Sequence, residues 1–572
     1  MLNSHALIVF LFLSLTPTSV AAVNVSFSIY PDNQQLKISP LIYGTNQALT
    51  TEENIGLHRI GGNRLTAYNW ENNWSNAGED WHHSSDGYLI PDSANTNAPA
   101  ASLTSVIDKQ AAEAKSIVSL QMAGYVSADG KGPVSKTETA PSHRWIEVQA
   151  KKGAKFALKP NTSDKTVYMD ELVNFMVHRY GKAANGGVFA YSLDNEPGLW
   201  SYTHPRIHPA KVGAAKLVAR SAELAAAVKA VDPGAKTFGP ALYGFGAYSN
   251  LQGAPDWASV AGPHKQFVGY YLAEMHKASQ AAGKRLLDVL DLHYYSEAIG
   301  EVRITKTEAT TEKDRAARLQ APRTLWDPDY TENSWIGKCC SKELPIIPKV
   351  LESIKLNYPG TELAFTEYNF GGEEHISGGL AHADALGIFG KYGIYAANIW
   401  VLSTKPGFHA SAFRLFRNYD GAMSTFGDTT VAASMNDKEN SSIYAAVNSS
   451  TENLHIIVLN KNMLQSLNGT FAITSAADYA SGEAWALTGK STDIQNAGKF
   501  FLSDNRFNYS LPALSAYHLV LSKQRSSTKI TQAGSGGGGG GSALLLLMLC
   551  LALPFVHRSP FAGNSDKAGT HA

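Results

Sequence analysis

Cysteine is scarce. Three occur in 572 residues, Cys339, Cys340 and Cys550, and no Cys-x-x-Cys or Cys/His spacing accompanies them, so a zinc site of ordinary ligand spacing is excluded. Neighbouring cysteines make a poor pair for a structural disulfide, and the fold is expected to be held by its core. Net charge is lacking too. Lys plus Arg and Asp plus Glu both number 49, so no field draws in nucleic acid or an anionic membrane surface. No apolar run reaches the length of a bilayer-spanning helix. No Gly-x-Gly-x-x-Gly follows a β-favouring run, which counts against an open doubly wound sheet, the main alternative architecture. Aromatic residues, by contrast, make up 10% of the chain, with 10 Trp and 25 Tyr. They suit a large core or platforms for flat, uncharged ligands such as sugar rings.

The two longest apolar runs lie at the ends. Ala6 to Leu15 (ALIVFLFLSL) precedes Ser19-Val20-Ala21-Ala22, small residues where a signal peptidase would cut. Residues 1–22 are therefore expected to be a secretory signal, although Lys and Arg are missing before the apolar run. Near the other end GSGGGGGGS reads as a flexible linker. Ala543 to Phe555 is apolar and is followed by His557, Arg558 and a polar tail. This arrangement resembles bacterial Gly-Gly sorting tails, which implies processing at the cell envelope and transient attachment there. The long extension after Arg558 departs from that pattern and argues against a lipid-anchor signal.

Between these ends short β-favouring runs alternate with stretches of helical period. LIYGTN at 41, LHRIGG at 57, SIVSLQM at 116, VFAYSLDNE at 188, KTFGP at 236, DVLDLH at 288, ELAFTE at 362 and ANIWVL at 397 are eight candidate strands. Helical patterns such as MDELVNFMVHRY at 169, AKLVARSAELAAAVKAV at 215 and FVGYYLAEMHKASQAAG at 267 fall between them. Such alternation predicts an α/β fold, a (β/α)8 TIM barrel. From about Tyr419 the chain turns to short alternating strands separated by Asn, Gly and Ser, the pattern of an appended all-β sandwich. VNVSFSIY, just after the signal, reads as a strand of that same sandwich. The expected division is 1–22 signal, 23–40 N-terminal strand joining the sandwich, 41–420 barrel, 421–525 sandwich, 526–542 linker and 543–572 apolar segment with polar tail.

Catalytic groups of such barrels sit at the C-terminal ends of the strands. Candidate strand four ends in Asp194-Asn195-Glu196-Pro197 and candidate strand seven carries Glu367. These strands lie across the mouth from one another, so two carboxyl groups can face into one cleft. That pairing points to glycoside hydrolysis, in which one carboxyl protonates the leaving oxygen while the other stabilises or attacks the anomeric carbon. A carboxylate at a strand end that caps a helix or pairs with arginine is the competing reading for each one alone.

Several longer blocks resemble glycoside hydrolase family 44: RIGGNRLTAYNWENN at 59, LQMAGYVSADGKGPV at 120, YSLDNEPGLWSYTHPRIHP at 191, LLDVLDLHYYSEA at 286, LQAPRTLWDPDYTENSWIG at 319, TEYNFGGEEHISGG at 366 and RNYDGAMSTFGDT at 417. The similarity runs in order from about residue 24 to 523. It implies a barrel with an appended β-sandwich and an endo-acting, retaining hydrolase of β-1,4-glucans, with xyloglucan, carboxymethyl cellulose and mixed-linkage glucan as substrates. It further implies Glu196 as the acid/base and Glu367 as the nucleophile. Their carboxyls should lie about 5–5.5 Å apart, and the Glu196 pKa should be raised by the Glu367 anion and by partial burial.

Around this pair, Asn195 is placed to hydrogen-bond the sugar 2-hydroxyl, or else to cap the next turn. Asp194 should point the other way, as a supporting or ion-paired group. His293 and Tyr295 share one strand face and are candidates to orient Glu367 or touch the sugar. Trp70, Trp74, Trp200, Trp326 and Trp400 are nominated as sugar platforms. Arg59 and Asn63 are candidates to bind hydroxyls or steady a carboxylate. The chemistry requires no cofactor. The family leaves room for structural calcium, for which Asp164, Asp170 and Glu171 could supply oxygens, with no site assigned. The expected partner is polysaccharide, not nucleic acid, and the expected state is a secreted monomer. A β-mannanase or xylanase of the same two-glutamate design, or a non-catalytic polysaccharide-binding envelope protein, are the alternatives.

Overall fold

The computed structural model describes residues 21–524 apart from 48, 92–97, 111–113 and 404–406. The expected signal, except for Ala21 and Ala22, and the linker and apolar tail lie outside the described residues. Among the described residues no helix is long and apolar enough to cross a membrane.

The strand Val23–Lys37 (β1) belongs to the second sheet. All eight runs named above then supply the strands of one closed parallel barrel: Gly44–Thr45 (β2), Leu57–Ile60 (β3), Lys115–Leu120 (β4), Ala190–Leu193 (β5), Lys236–Leu242 (β6), Val289–Tyr295 (β7), Glu362–Asn369 (β8) and Ala396–Ile399 (β9). The helical patterns are Met169–Tyr180 (α1), Ala214–Val231 (α2) and Phe267–Ala282 (α3). The barrel interior is graded. Its floor is an apolar layer to which seven strands give one residue each, Leu57, Ile117, Ala190, Phe238, Val289, Ala364 and Ala396. Two residues further along, and so on the same inward face, stand Arg59, Ser119, Ser192, Asp291, Thr366 and Asn398, all buried. The strands thus change from apolar to polar as they approach the mouth, and the chemistry sits on that polar layer.

The second sheet has nine strands: β1 with Thr429–Met435 (β10), Ser441–Val447 (β11), Leu454–Asn460 (β12), Leu467–Ile473 (β13), Tyr479–Thr488 (β14), Ser491–Phe501 (β15), Arg506–Leu511 (β16) and Ser515–Lys523 (β17). Their order is β15-β14-β17-β12-β11-β10-β1-β13-β16. β1 pairs antiparallel with β10 and parallel with β13, as expected of a strand that precedes the barrel and completes the later sheet. The sandwich is one continuous sheet folded over itself. The rings of Tyr509 in β16 and Tyr517 in β17 are 5.4 Å apart although these strands are far apart in that order. Phe27, Phe471 and Phe507 stack between the layers at 4.6 and 4.5 Å.

The outer face of this sheet rests on two barrel helices, Ile376–Lys391 and Phe408–Arg417. His455 Nδ1 lies 3.0 Å from His518 Nε2, and His518 Nδ1 is 2.8 Å from the Leu415 carbonyl. The Tyr444 hydroxyl donates to Asp384. Its ring covers Gly387, where an added Cβ would stand 2.2 Å from ring carbon Cδ2. Gly387→Ala is therefore expected to destabilise the protein by about 1–3 kcal/mol through overpacking. Urea unfolding measures it, and an unchanged midpoint would mean the ring has room to move.

The expectation about cysteine is corrected. Cys339 and Cys340 are bonded to each other, at the end of the helix Trp335–Cys340 (α4). A bond between neighbours needs no second segment to approach, so a rule based on spacing between segments does not detect it.

Candidate active site

The chain turns sharply after β5. Asp194 (φ 64°) and Glu196 (φ 45°) both adopt the left-handed conformation, which costs a non-glycine residue about 1 kcal/mol or more. The turn is held from several sides. The buried Asp194 carboxylate accepts the amides of Met122, Ala123 (2.9 Å) and Asn195 (2.8 Å) and the Thr66 hydroxyl (2.7 Å). The Trp200 indole donates to the Asn195 carbonyl at 3.1 Å, and the Glu196 amide donates to the Ala241 carbonyl at 2.9 Å. Asp194 therefore ties the segments that follow β3 and β4 to the turn that presents Glu196. It does so through amides and a hydroxyl, not through an ion pair.

Glu367 is set from both sides. Arg59 Nη1 donates to its Oε1 at 2.7 Å, and the Tyr295 hydroxyl donates to its Oε2 at 2.7 Å. Arg59 is 1% exposed, and its Nη2 donates to Asn195 Oδ1 at 2.7 Å. One buried guanidinium fork thus holds Glu367 and the residue before Glu196 together.

Glu196 behaves differently. Its carboxyl lies 2.8 Å from His293 Nδ1, and burial pushes its pKa up to about 7, with Asp80 raising it further and Arg59 opposing. The expected repulsion by Glu367 is not among the causes of the shift. Burial also pushes His293 down to about 4, so its ring is neutral near neutral pH. Thr366 Oγ1 lies 2.7 and 2.8 Å from the oxygens of Asp291 and 3.3 Å from His293 Nε2. If the hydroxyl proton is assigned to Asp291, the Thr366 oxygen accepts Nε2–H. His293 Nδ1 is then left to accept the carboxyl proton of Glu196. Glu196, His293 and Glu367 offer oxygen and nitrogen atoms that all lie within 4.8 Å of one another.

Two hollows open among the loops that follow the barrel strands. One, of about 520 Å³, is lined by Glu196, Glu367, Tyr243, Tyr295 and Trp335. The other, of about 800 Å³, is lined by Asn63, Trp81, Tyr88 and Trp400. Asn63 donates to Asp80 at 2.7 Å, and Trp400 lies against Gly62, where an added Cβ would meet the indole at 2.5 Å. The other nominated platforms fare less well. Trp70 and Trp200 are wholly buried and offer no face to a sugar. Trp74 is half-buried, packed on Gly87 and Gly130. Trp326 is covered by the ammonium groups of Lys391 and Lys438 at 5.2 and 5.5 Å. Lys391 ends the helix that descends from β8, so Trp326 lies at the end of the barrel away from the mouth.

The aromatic side chains that are open were missed: Trp81 is 63% exposed, Tyr88 78% and Trp335 45%. Trp81 and Tyr88 stand in GEDWHHSSDGYLI, where the excess of aromatics over any strand or helix period was the available signal. The acidic residues considered for calcium already have partners within the protein. Asp170 accepts the Lys152 amide, and Glu171 accepts the Lys152 ammonium and the Ala157 amide at 2.7 Å. Glu71 beside them is pushed up to about 8, by burial and by Asp164 and Glu171. Among the described residues the three-ligand cluster is instead the Glu196, His293 and Glu367 group, where the Arg59 guanidinium opposes a cation.

A closed (β/α)8 barrel with two carboxyl groups facing one another at its mouth is the frame of a glycosidase. Residues 74–298 match the family model for glycoside hydrolase family 44. Endoglucanase A of Paenibacillus lautus is 53% identical over 517 residues, covering 88% of this chain and 74% of that protein. The chain belongs to glycoside hydrolase family 44. Among solved structures, a family 44 xyloglucanase of Paenibacillus polymyxa is 50% identical with a TM-score of 0.86, covering 88% of this chain and all of that one, and it has also been solved with xyloglucan. A family 44 endoglucanase of Clostridium thermocellum is 49% identical with a TM-score of 0.85, over 88% of this chain and all of its own.

Proposed function

We propose that this protein is an endo-acting, retaining hydrolase of β-1,4-glucans, xyloglucan among them, with Glu367 as nucleophile and Glu196 as acid/base. The observation that carries the reading is the unequal treatment of the two carboxyls. Arg59 and Tyr295 bind one oxygen each of Glu367 and fix its carboxyl in the cleft, while burial keeps Glu196 protonated up to about pH 7. Their oxygens lie within 4.8 Å, close to the roughly 5–5.5 Å of retaining sites and short of the roughly 6.5–9.5 Å that leaves room for a water.

In the first step Glu367 attacks the anomeric carbon as Glu196 gives its proton to the departing oxygen. In the second, Glu196 takes a proton from water, which displaces Glu367 and restores both groups. Asn195, steadied by Arg59, is the candidate partner for the 2-hydroxyl. Trp81, Tyr88 and Trp400 on one side and Trp335 on the other supply ring-stacking faces. The relatives named endoglucanase and xyloglucanase support the substrate class. The apolar run and small residues of 1–22 support secretion, and the Gly-rich and apolar C-terminal segment supports transient attachment at the envelope. The enzyme is read as a monomer.

Proton NMR of the anomeric signals during cleavage of xyloglucan or a soluble cello-oligosaccharide tests the mechanism. The β-anomer is expected first, and Glu367→Gln is expected to be inactive. An α-anomer appearing first would rule out Glu367 as nucleophile. Cleavage of mannan or xylan with no attack on either glucan would overturn the substrate class.

A further inference from the structure

We propose that the Cys339–Cys340 disulfide is a sugar-binding surface that, together with Trp335, extends the glucan cleft outward beyond the hollow holding the catalytic pair. This rests on the glucanase reading above.

The bridge cannot serve as a staple. A disulfide stabilises chiefly by closing a loop, and the effect grows with the number of residues enclosed. Here the two residues are adjacent and nothing is enclosed. The bond's consequences are therefore local, and it lies on a helix whose first residues line the cleft. α4 begins with Trp335, which lines the same hollow as Glu196 and Glu367. Cys339 stands four residues on, so it shares the helix face of Trp335 about one turn, roughly 5.4 Å, further along the helix. Both residues are exposed, whereas Ile336 between them is 1% exposed and fixes the helix to the body of the protein. Cys340 packs on the edge of the barrel core, so the bridge joins a sulfur on the surface to one that is anchored.

The chemistry suits a sugar ring. Bonded to each other, the two sulfurs have no thiol proton to donate, and with their methylenes they form a small, rigid, polarisable apolar patch. Such a patch favours the C–H face of a pyranose through dispersion and makes no demand on its hydroxyls. The Trp335 ring meets the Phe245 ring at a steep angle, 74° with centroids 5.9 Å apart, a contact that steadies the indole while 45% of the residue stays exposed. Lys338, exposed beside the bridge, can reach the hydroxyls at the rim. Indole and disulfide then form consecutive contacts for successive rings of one chain.

The test is the dependence of kcat/KM on chain length, over a ladder of soluble cello-oligosaccharides and xyloglucan. The untreated protein is compared with protein reduced by a phosphine and with the Cys339→Ser/Cys340→Ser variant. Losing one stacking contact is expected to lower the ratio of kcat/KM for long over short chains about fivefold, mainly through KM. The unfolding midpoint should stay near that of the untreated protein. Trp335→Ala should act in the same length-dependent sense. Combined with the cysteine changes it should give less than the product of the two separate losses, because the groups form one surface.

A length profile that reduction leaves unchanged overturns the proposal. So does a loss equal at all lengths and accompanied by a lower unfolding midpoint, which would make the bridge a support for the helix alone. Failure of the untreated protein to cleave any of these chains would instead sink the glucanase reading, and the surface with it.

Discussion

Glu196→Gln is expected to lower kcat/KM on xyloglucan by about 10²–10⁴-fold, the usual worth of a positioned general acid. The loss should depend on the leaving group. An unactivated sugar oxygen needs a proton in order to depart, whereas a nitrophenolate does not. A nitrophenyl cello-oligosaccharide should therefore lose little in its first step and then stall as the glycosyl-enzyme, which Glu196→Gln no longer helps water to attack. Azide, needing no general base, should restore turnover and give a β-glycosyl azide. The pH profile carries the same information. Because burial holds the Glu196 carboxyl at about 7, the acid is present below that value and is lost as pH rises through it. The alkaline limb of kcat/KM should fall near 7 in the parent enzyme and vanish in the variant assayed on the activated substrate. An alkaline limb that survives Glu196→Gln would assign the titration to another group.

The second large effect belongs to Arg59. Arg59→Met should cost about 3–5 kcal/mol shared between folding and catalysis, because it strands the Glu367 carboxylate in a buried site. It also frees Asn195 and Asn46, both of which Arg59 now holds. Arg59→Lys keeps the charge but cannot span Glu367 and Asn195 at once, so it should recover stability more fully than kcat. The direction of the pH shift separates this account from simple unfolding. The Arg59 cation lowers the pKa of Glu196, so its removal raises that pKa and keeps the acid protonated to higher pH. The alkaline limb of whatever activity remains in Arg59→Met should move upward. Circular dichroism melts with kcat/KM against pH measure both parts, and a downward move would contradict the arrangement.

The residues that could be read from sequence are those whose position follows from strand period. Each barrel strand is short, apolar and ended by polar residues, so Glu196, Arg59, His293 and Tyr295 could be placed at the mouth by counting along strands, whereas Glu367 shares the cleft with them through a register irregularity between β7 and β8 that skips Thr366. The aromatic residues could not. Trp200 follows the acid/base by four positions and looked like a platform, but its indole is spent on the Asn195 carbonyl beneath the turn. Trp81 and Tyr88 reach the cleft from an irregular segment between barrel strands, where no period tells inside from outside. Burial, the main cause of the Glu196 shift, was expected from the sequence, but its electrostatic part was hidden. It depends on where Arg59 and Asp80 stand, and these come from other strands and loops. Asp194 was seen as a supporting group, but its partners, the amides after β4 and the hydroxyl of Thr66, are contacts that only the closed barrel creates.

β1 and its partners bracket the barrel, which has a consequence for how the protein comes into being. Val23–Lys37 is made before the barrel, yet both strands that pair with it, Thr429–Met435 and Leu467–Ile473, are made only after it. Until then β1 has two open edges and an apolar face, the features that invite pairing with another chain. Closing this sheet requires contacts between segments with the whole barrel between them in sequence, which are slow to form. The nascent protein therefore depends on whatever keeps a long unpaired strand from finding a stranger before its own C-terminal half arrives.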